Sequence, residues 1–192
     1  MMMRITSIAA LAATTVLAGC ASWNQPAQPV STVRTEPTYQ AADANVFLAN
    51  SQDAINQLTA NVNPGNVGTG PVLVATVVNV NNMGTSSPLG RTLSEIYANQ
   101  MAARGFNVKE VKLRGELYVR EGTGELMLSR EMRDIARSQN AAMVLVGTFS
   151  PAANFTYVSL KLVRTEDSRI ITGYDYALPN DRDVTRLLGA PR

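Results

Sequence analysis

Two sets of side chains in this sequence have the types and spacing for chemistry: the thiol of Cys20, the only cysteine, and the carboxylates of Glu121 and Glu125. A thiol is a nucleophile open to modification where small neighbours let an enzyme reach the backbone, and Ala18 and Gly19 directly precede Cys20. Paired carboxylates can divide acid and base work in glycoside cleavage, but that chemistry needs a fixed separation across a substrate, and two acids in one glycine-rich loop do not establish it. Histidine is absent, which removes the commonest general base and the commonest metal ligand together. Serine-histidine triads and zinc-type centres are thereby excluded. The residues predict no catalytic group, no cofactor-binding group and no metal ligand set, hence a protein that is not an enzyme.

The stretch that positions Cys20 begins with Arg4 and continues as an apolar run from Ile5 to Val16, too short for a permanent span and long enough for an export signal. With this run before them, Leu17, Ala18, Gly19 and Cys20 resemble the lipobox of bacterial lipoproteins. The resemblance implies cleavage between Gly19 and Cys20 and a diacylglycerol thioether on the Cys20 sulfur. The alternative, a small inert cysteine in a core, fits poorly beside a signal-like run and a proline-rich segment. Ala21 stands where lipoproteins kept at the inner membrane commonly carry aspartate, so the same resemblance implies the outer membrane as destination, with the domain facing the periplasm. One acyl chain binds a bilayer only marginally, at roughly 0.8 kcal/mol per buried methylene, and stable anchoring takes a second. A lone cysteine leaves no disulfide to staple the exported fold. With 17 basic and 15 acidic residues the chain is close to neutral, which points away from nucleic acid. No second apolar run approaches membrane-spanning length.

The organisation expected is a signal peptide at 1–19, a lipidated cysteine and flexible tether at 20–42, an amphipathic helix at 43–62 and an α/β domain at 63–192. The tether carries Pro26, Pro29 and Pro37 without sustained periodicity, and a flexible coil of about twenty residues spans roughly 25 Å. Trp23 suits either a headgroup-level indole or a solvated linker. Asp43 can cap the helix, whose apolar stripe runs through Phe47, Leu48, Ile55, Leu58 and Val62 and must be covered by its own sheet or by a neighbouring subunit. Gly65, Gly68 and Gly70 precede a strand with no lysine following, a turn signal rather than a phosphate loop.

Pro71 to Val80 is a nearly unbroken β-branched run and predicts a strand buried on both faces. Ser87 and Pro88 supply an N-cap and first-turn proline for a helix ending at Arg104-Gly105, followed by a strand over Phe106 to Leu113. Leu117 to Val119 suits a short strand or core packing, and Ser129 caps a second helix through Asn140, with Leu128 inward and Arg130 pairing with Asp134. Ala141 to Phe149 repeats the buried-strand composition. Phe155 to Val163 and Arg169 to Tyr176 then predict an antiparallel meander at a sheet edge, turning at Glu166 to Ser168, with Tyr157, Ser159, Lys161 and Val163 on a wetter face. A terminal helix over Asp181 to Leu188 closes the domain. The fold class is a single α/β domain with a mixed sheet of about five strands flanked by helices.

The runs Val72 to Val80, Ser87 to Glu95, Arg104 to Val108, Tyr118 to Leu126, Leu128 to Arg130 and Ala141 to Thr148 resemble the FlgO family of flagellar outer-membrane proteins over 71–176. Arg120-Glu121-Gly122-Thr123-Gly124-Glu125-Leu126 is the most distinctive part. The resemblance implies a non-enzymatic outer-membrane lipoprotein, a structural or assembly component of the flagellar motor's envelope ring needed for motility. It implies partners among the envelope-ring proteins, a possible homo-oligomer, and a fold similar to TolB N-terminal-type domains. A lipid-tethered module regulating a cell-wall or envelope-assembly protein uses the same anchor and tether. The loops holding Asn81 and Asn82, and Arg120 to Glu125, are either contact surfaces or ordinary sheet-edge turns.

Overall fold

Helix starts in this chain are set by side-chain oxygens that accept the first free N–H groups. In the computed structural model, which describes residues 36–66, 68–111, 118–120, 126–128 and 130–189, four helices start in this way. Ser87 Oγ accepts from the Gly90 N–H at the head of α3 (Pro88–Ala103), and Asp181 does the same for α5 (Arg182–Leu187). The first amphipathic helix begins later than Asp43 predicts. Thr38 caps a short α1 (Tyr39–Asp43) inside the expected tether, and Asn45 Oδ1 accepts from the Leu48 N–H to start α2 (Val46–Leu58). Asp43 therefore ends one helix instead of opening the next.

Among the described residues the mixed sheet has six strands, close to the five expected: β1 (Val72–Ala75), β2 (Val78–Asn79), β3 (Val108–Val111), β6 (Met143–Pro151), β7 (Phe155–Arg164) and β8 (Ile170–Pro179). Their order is β3-β1-β6-β7-β8, with β2 paired to β6. β1 lies parallel to both β3 and β6, while β6, β7 and β8 form the expected antiparallel meander. Among the described residues β4 (Tyr118–Arg120) and β5 (Leu126–Leu128) pair with each other, so Leu128 ends a strand instead of opening the helix. α4 (Arg130–Ser138) follows, and its Asp134 pairs with Arg137 at 3.6 Å.

The expected single strand from Pro71 to Val80 is broken into β1 and β2 (Val78–Asn79). Val74 pairs with Leu145 and Val78 with Thr148, so four residues here match three on β6. The extra residue frees Val77, whose N–H donates to Ser94 Oγ of α3 at 2.9 Å, while that hydroxyl donates to Gly90 O at 2.7 Å. The helix thus replaces the sheet as hydrogen-bond partner for a buried amide.

Apolar groups cover both faces of β1. On one face α2 and α3 bury Ala54, Ile55, Leu58, Leu89, Leu93 and Met101 against the sheet and against Val184 of α5. The stripe of α2 is therefore covered by its own chain from Phe47 through Ile55 and Leu58 to Val62, with Leu48 left exposed. On the other, Met132 and Ala136 of α4 pack on Leu73, Ala75, Val144 and Val146. Both α3 and α4 end in a Schellman turn: Gly105 and Asn140 adopt positive φ, and Phe106 and Ala141 donate back to Met101 O and Ala136 O. These turns send the chain into β3 and β6.

Candidate functional site

Among the described residues α4 covers the parallel strands and the Val163 end of β7, and leaves the rest of β7 and β8 uncovered on that side. β7 alternates there, with Thr156, Val158, Leu160 and Leu162 buried under α2 and α3 and Phe155 and Tyr157 turned outward at 44% and 56% exposure. Tyr157 stands opposite Ala177, Ser159 opposite Asp175 and Lys161 opposite Gly173 of β8. Between this row and β2 lies a shallow hollow of about 520 Å³, lined by Val80, Thr148, Ser150, Tyr157, Asp175 and Ala177. The wetter face expected from Tyr157, Ser159, Lys161 and Val163 is present at the first three, whereas Val163 is buried in the cluster under α4, and the exposed aromatics make the rest more than a solvated surface.

A second groove, about 850 Å³, lies where the parallel strands begin, with Gly68, Asn140, Arg137 and Arg164 on its walls. Both arginines already face carboxylates, Arg137 with Asp134 and Arg164 with Asp167 at 3.2 Å. The groove presents little net charge of its own. Among the described residues no group of three or more His, Cys, Asp or Glu side chains is placed to hold a metal ion, and no helix is long and apolar enough to cross a membrane.

Gly19, Cys20 and Glu121, Gly122, Thr123, Gly124 and Glu125 lie outside the described residues. Arg120 ends β4. Asn81 and Asn82 are exposed in a turn that closes on itself: Asn79 Oδ1 accepts from the Asn81 N–H at 2.9 Å, and Asn82 Oδ1 accepts from the Thr85 hydroxyl at 3.1 Å. Those contacts are turn chemistry.

Three hydroxyls meet where α2, α3 and β8 converge. The Tyr97 and Tyr176 hydroxyls lie 2.5 Å apart, and Tyr176 donates to Ser51 Oγ at 3.5 Å. Burial, reinforced by Tyr176, pushes the Tyr97 pKa well above 10.0, and burial also raises that of Tyr176. A phenol whose folded pKa is raised leaves stability untouched below the unfolded value and draws it down once pH rises past about 10, where only the unfolded state loses the proton. Tyr97→Phe is expected to cost about 1 kcal/mol at neutral pH and to flatten the fall in stability above pH 10. Urea melts of both proteins across that range check it, and an unchanged alkaline slope would contradict the assignment.

A family model described as FlgO protein matches residues 52–183. The match extends beyond the expected 71–176 at both ends, starting inside α2. No curated protein matches the chain. Among solved structures, the chain is similar to the LpoB C-terminal domain from Salmonella enterica at 18% identity, covering 67% of this chain and 94% of that one, with TM-score 0.48. It is similar to the LpoB C-terminal domain from Escherichia coli at 20% identity, covering 70% and 98%, with TM-score 0.45. It is also similar to a PelC dodecamer from Paraburkholderia phytofirmans at 17% identity, covering 62% and 80%, with TM-score 0.41. With the family model spanning 52–183 of 192 residues, from α2 through the sheet into α5, the chain belongs to the FlgO family.

Proposed function

We propose that this chain is a non-enzymatic, lipid-anchored protein of the bacterial outer membrane that docks on the flagellar envelope ring from the periplasmic side and is needed for motility. Family membership over 52–183 is the observation that carries the reading. The sequence Leu17-Ala18-Gly19-Cys20 supports the anchor. A lipid on Cys20 confines the domain to a plane and raises its effective concentration toward neighbours in that plane without any new contact. The expected tether, 20–42, carries three prolines and no sustained period, a composition that suits a spacer between lipid and domain. The open face of β7 and β8, with its exposed aromatics, is the surface best suited to a protein partner.

Swimming and motor imaging in cells carrying Cys20→Ala, beside a full deletion, test this. Both strains are expected to lose swimming and the same outer ring density, with Cys20→Ala protein released from the membrane fraction. Intact swimming and intact rings in the deletion strain would overturn the flagellar reading. Cys20→Ala protein that stays membrane-bound would overturn the anchor.

A further inference from the structure

Among the described residues β8 ends the sheet, and only its β7 side is paired. Proteins usually blunt such an edge with several charged side chains, internal proline, bulges or short length, because its free N–H and C=O groups template another strand. β8 carries a single charge, Asp175, and its register shift lies at the far end, beside Leu162 and Val163. β8 runs ten residues, contains no lysine, and has its one proline, Pro179, at its last position. The Asn180 N–H donates to Asn154 O, which fixes the alternation along the pair. Leu178, Tyr176 and Tyr174 turn their backbone groups toward β7, and Ala177, Asp175 and Gly173 turn theirs to the free edge. These three outward residues are all exposed. They sit on the open face beside the hollow, and the small Ala177 leaves that hollow accessible from the edge toward Tyr157. Asp175 makes no ion pair among the described residues.

We propose that β8 accepts an added strand from a partner protein. The partner strand is an extended segment with a lysine or arginine set against Asp175 and, two residues along on the same face, an apolar side chain that crosses Ala177 into the hollow beside Tyr157. Backbone pairing supplies affinity in this mode, and the alternate side chains supply selection. Charge favours a basic partner over a second copy. Two-fold pairing of β8 on itself about Asp175 sets carboxylate against carboxylate, and a register in which Asp175 faces Ala177 leaves both acids unmatched. The proposal rests on the reading of the domain as a docking module and names the place and chemistry of docking.

A photo-crosslinking residue in the full lipidated chain in cells tests it, placed at Gly173 on the edge and, as a comparison, at Asn99 on the exposed side of α3. A side chain at Gly173 meets only ordinary contacts, the nearest being Leu160 O at 3.4 Å. The Gly173 probe is expected to yield one discrete adduct absent from the Asn99 probe, and peptide mapping is expected to return a segment with lysine or arginine near the crosslink. Asp175→Lys should cut the adduct at least tenfold. Ala177→Pro, which removes an N–H that β7 does not use, should do the same. An adduct of two copies of this chain, or one that survives both substitutions in protein with unchanged melting, would overturn the proposal. An adduct from Asn99 alone would move docking to the helical face and leave the flagellar reading standing, whereas normal swimming in the deletion strain removes that reading instead.

Discussion

Gly90→Ala is expected to destabilise the domain by about 3 kcal/mol or more, the upper end for overpacking a filled site. In an unconstrained helix the same exchange stabilises by roughly 1 kcal/mol, so helix propensity points the other way and has to be overcome. The decisive quantity is space. A methyl on Gly90 would lie 1.9 Å from Val77 O and 3.0 Å from Val77 C, and both are backbone atoms that cannot swing aside. Either α3 lifts at its first turn or the link between β1 and β2 moves. Lifting α3 also pulls Ser94 Oγ from the Val77 N–H, leaving a buried amide unpaired at about 1–3 kcal/mol. Urea unfolding of Gly90→Ala beside Gly84→Ala checks the argument, since a methyl at exposed Gly84 meets nothing within 4 Å. Gly84→Ala should shift stability by no more than about 0.5 kcal/mol in either direction. Equal midpoints for the two variants would mean that the contact between α3 and Val77 is not tight.

That contact also shows where reading the sequence stops. Ser87, Pro88 and Gly105 announced α3 because each acts through local geometry: a side-chain acceptor, a preset φ and a left-handed turn. The break at Thr76 and Val77 has no such mark. Val72 to Val78 is apolar apart from Thr76, a residue at home in a strand, with neither glycine nor proline inside it, and the residue that frees Val77 from the ladder is Ser94, seventeen positions away. A serine within a helix gives no sign that it will serve as a strand's hydrogen-bond partner. The shift from Asp43 to Asn45 at the head of α2 has a similar origin, because both residues can cap a helix and Thr38 had already started a separate turn.

The candidate surface was legible only in part. Tyr157, Ser159 and Lys161 alternate with buried neighbours, and that pattern gave the direction of the open face. It could not show that α4 reaches β7 only at Val163 and leaves β8 uncovered among the described residues, which follows from the strand order. Nor could it single out Asp175 and Ala177, whose importance depends on β8 being the last strand. The polar loop at Asn81 and Asn82 is a turn held by the Asn79 to Thr85 hydrogen bonds, a geometry that its composition already suggests.

Leu160→Ala and Gly147→Ala are expected to be strongly coupled. Leu160 is fully buried on the central antiparallel strand and pairs directly with Gly147 of β6. Truncating it removes three carbons from a packed core, an effect of about 2–5 kcal/mol that grows with the cavity left behind. Gly147→Ala alone should cost about 1–3 kcal/mol, since the new methyl would stand 2.9 Å from Leu160 Cδ2 and 3.0 Å from Val77 Cγ2. The first of those conflicts is with an atom that Leu160→Ala deletes. In the double variant the Gly147 methyl enters part of the space that Leu160 vacates, leaving only the Val77 contact to relax. The double variant should therefore be more stable than the sum of the single effects by about 1–2 kcal/mol, within the range seen for residues that share a cavity. Denaturant unfolding of the four proteins in one cycle measures that coupling. Additivity to within about 0.3 kcal/mol would mean that β6 and β7 relax independently, and that Leu160 does not lean over Gly147 as the cross-strand geometry has it.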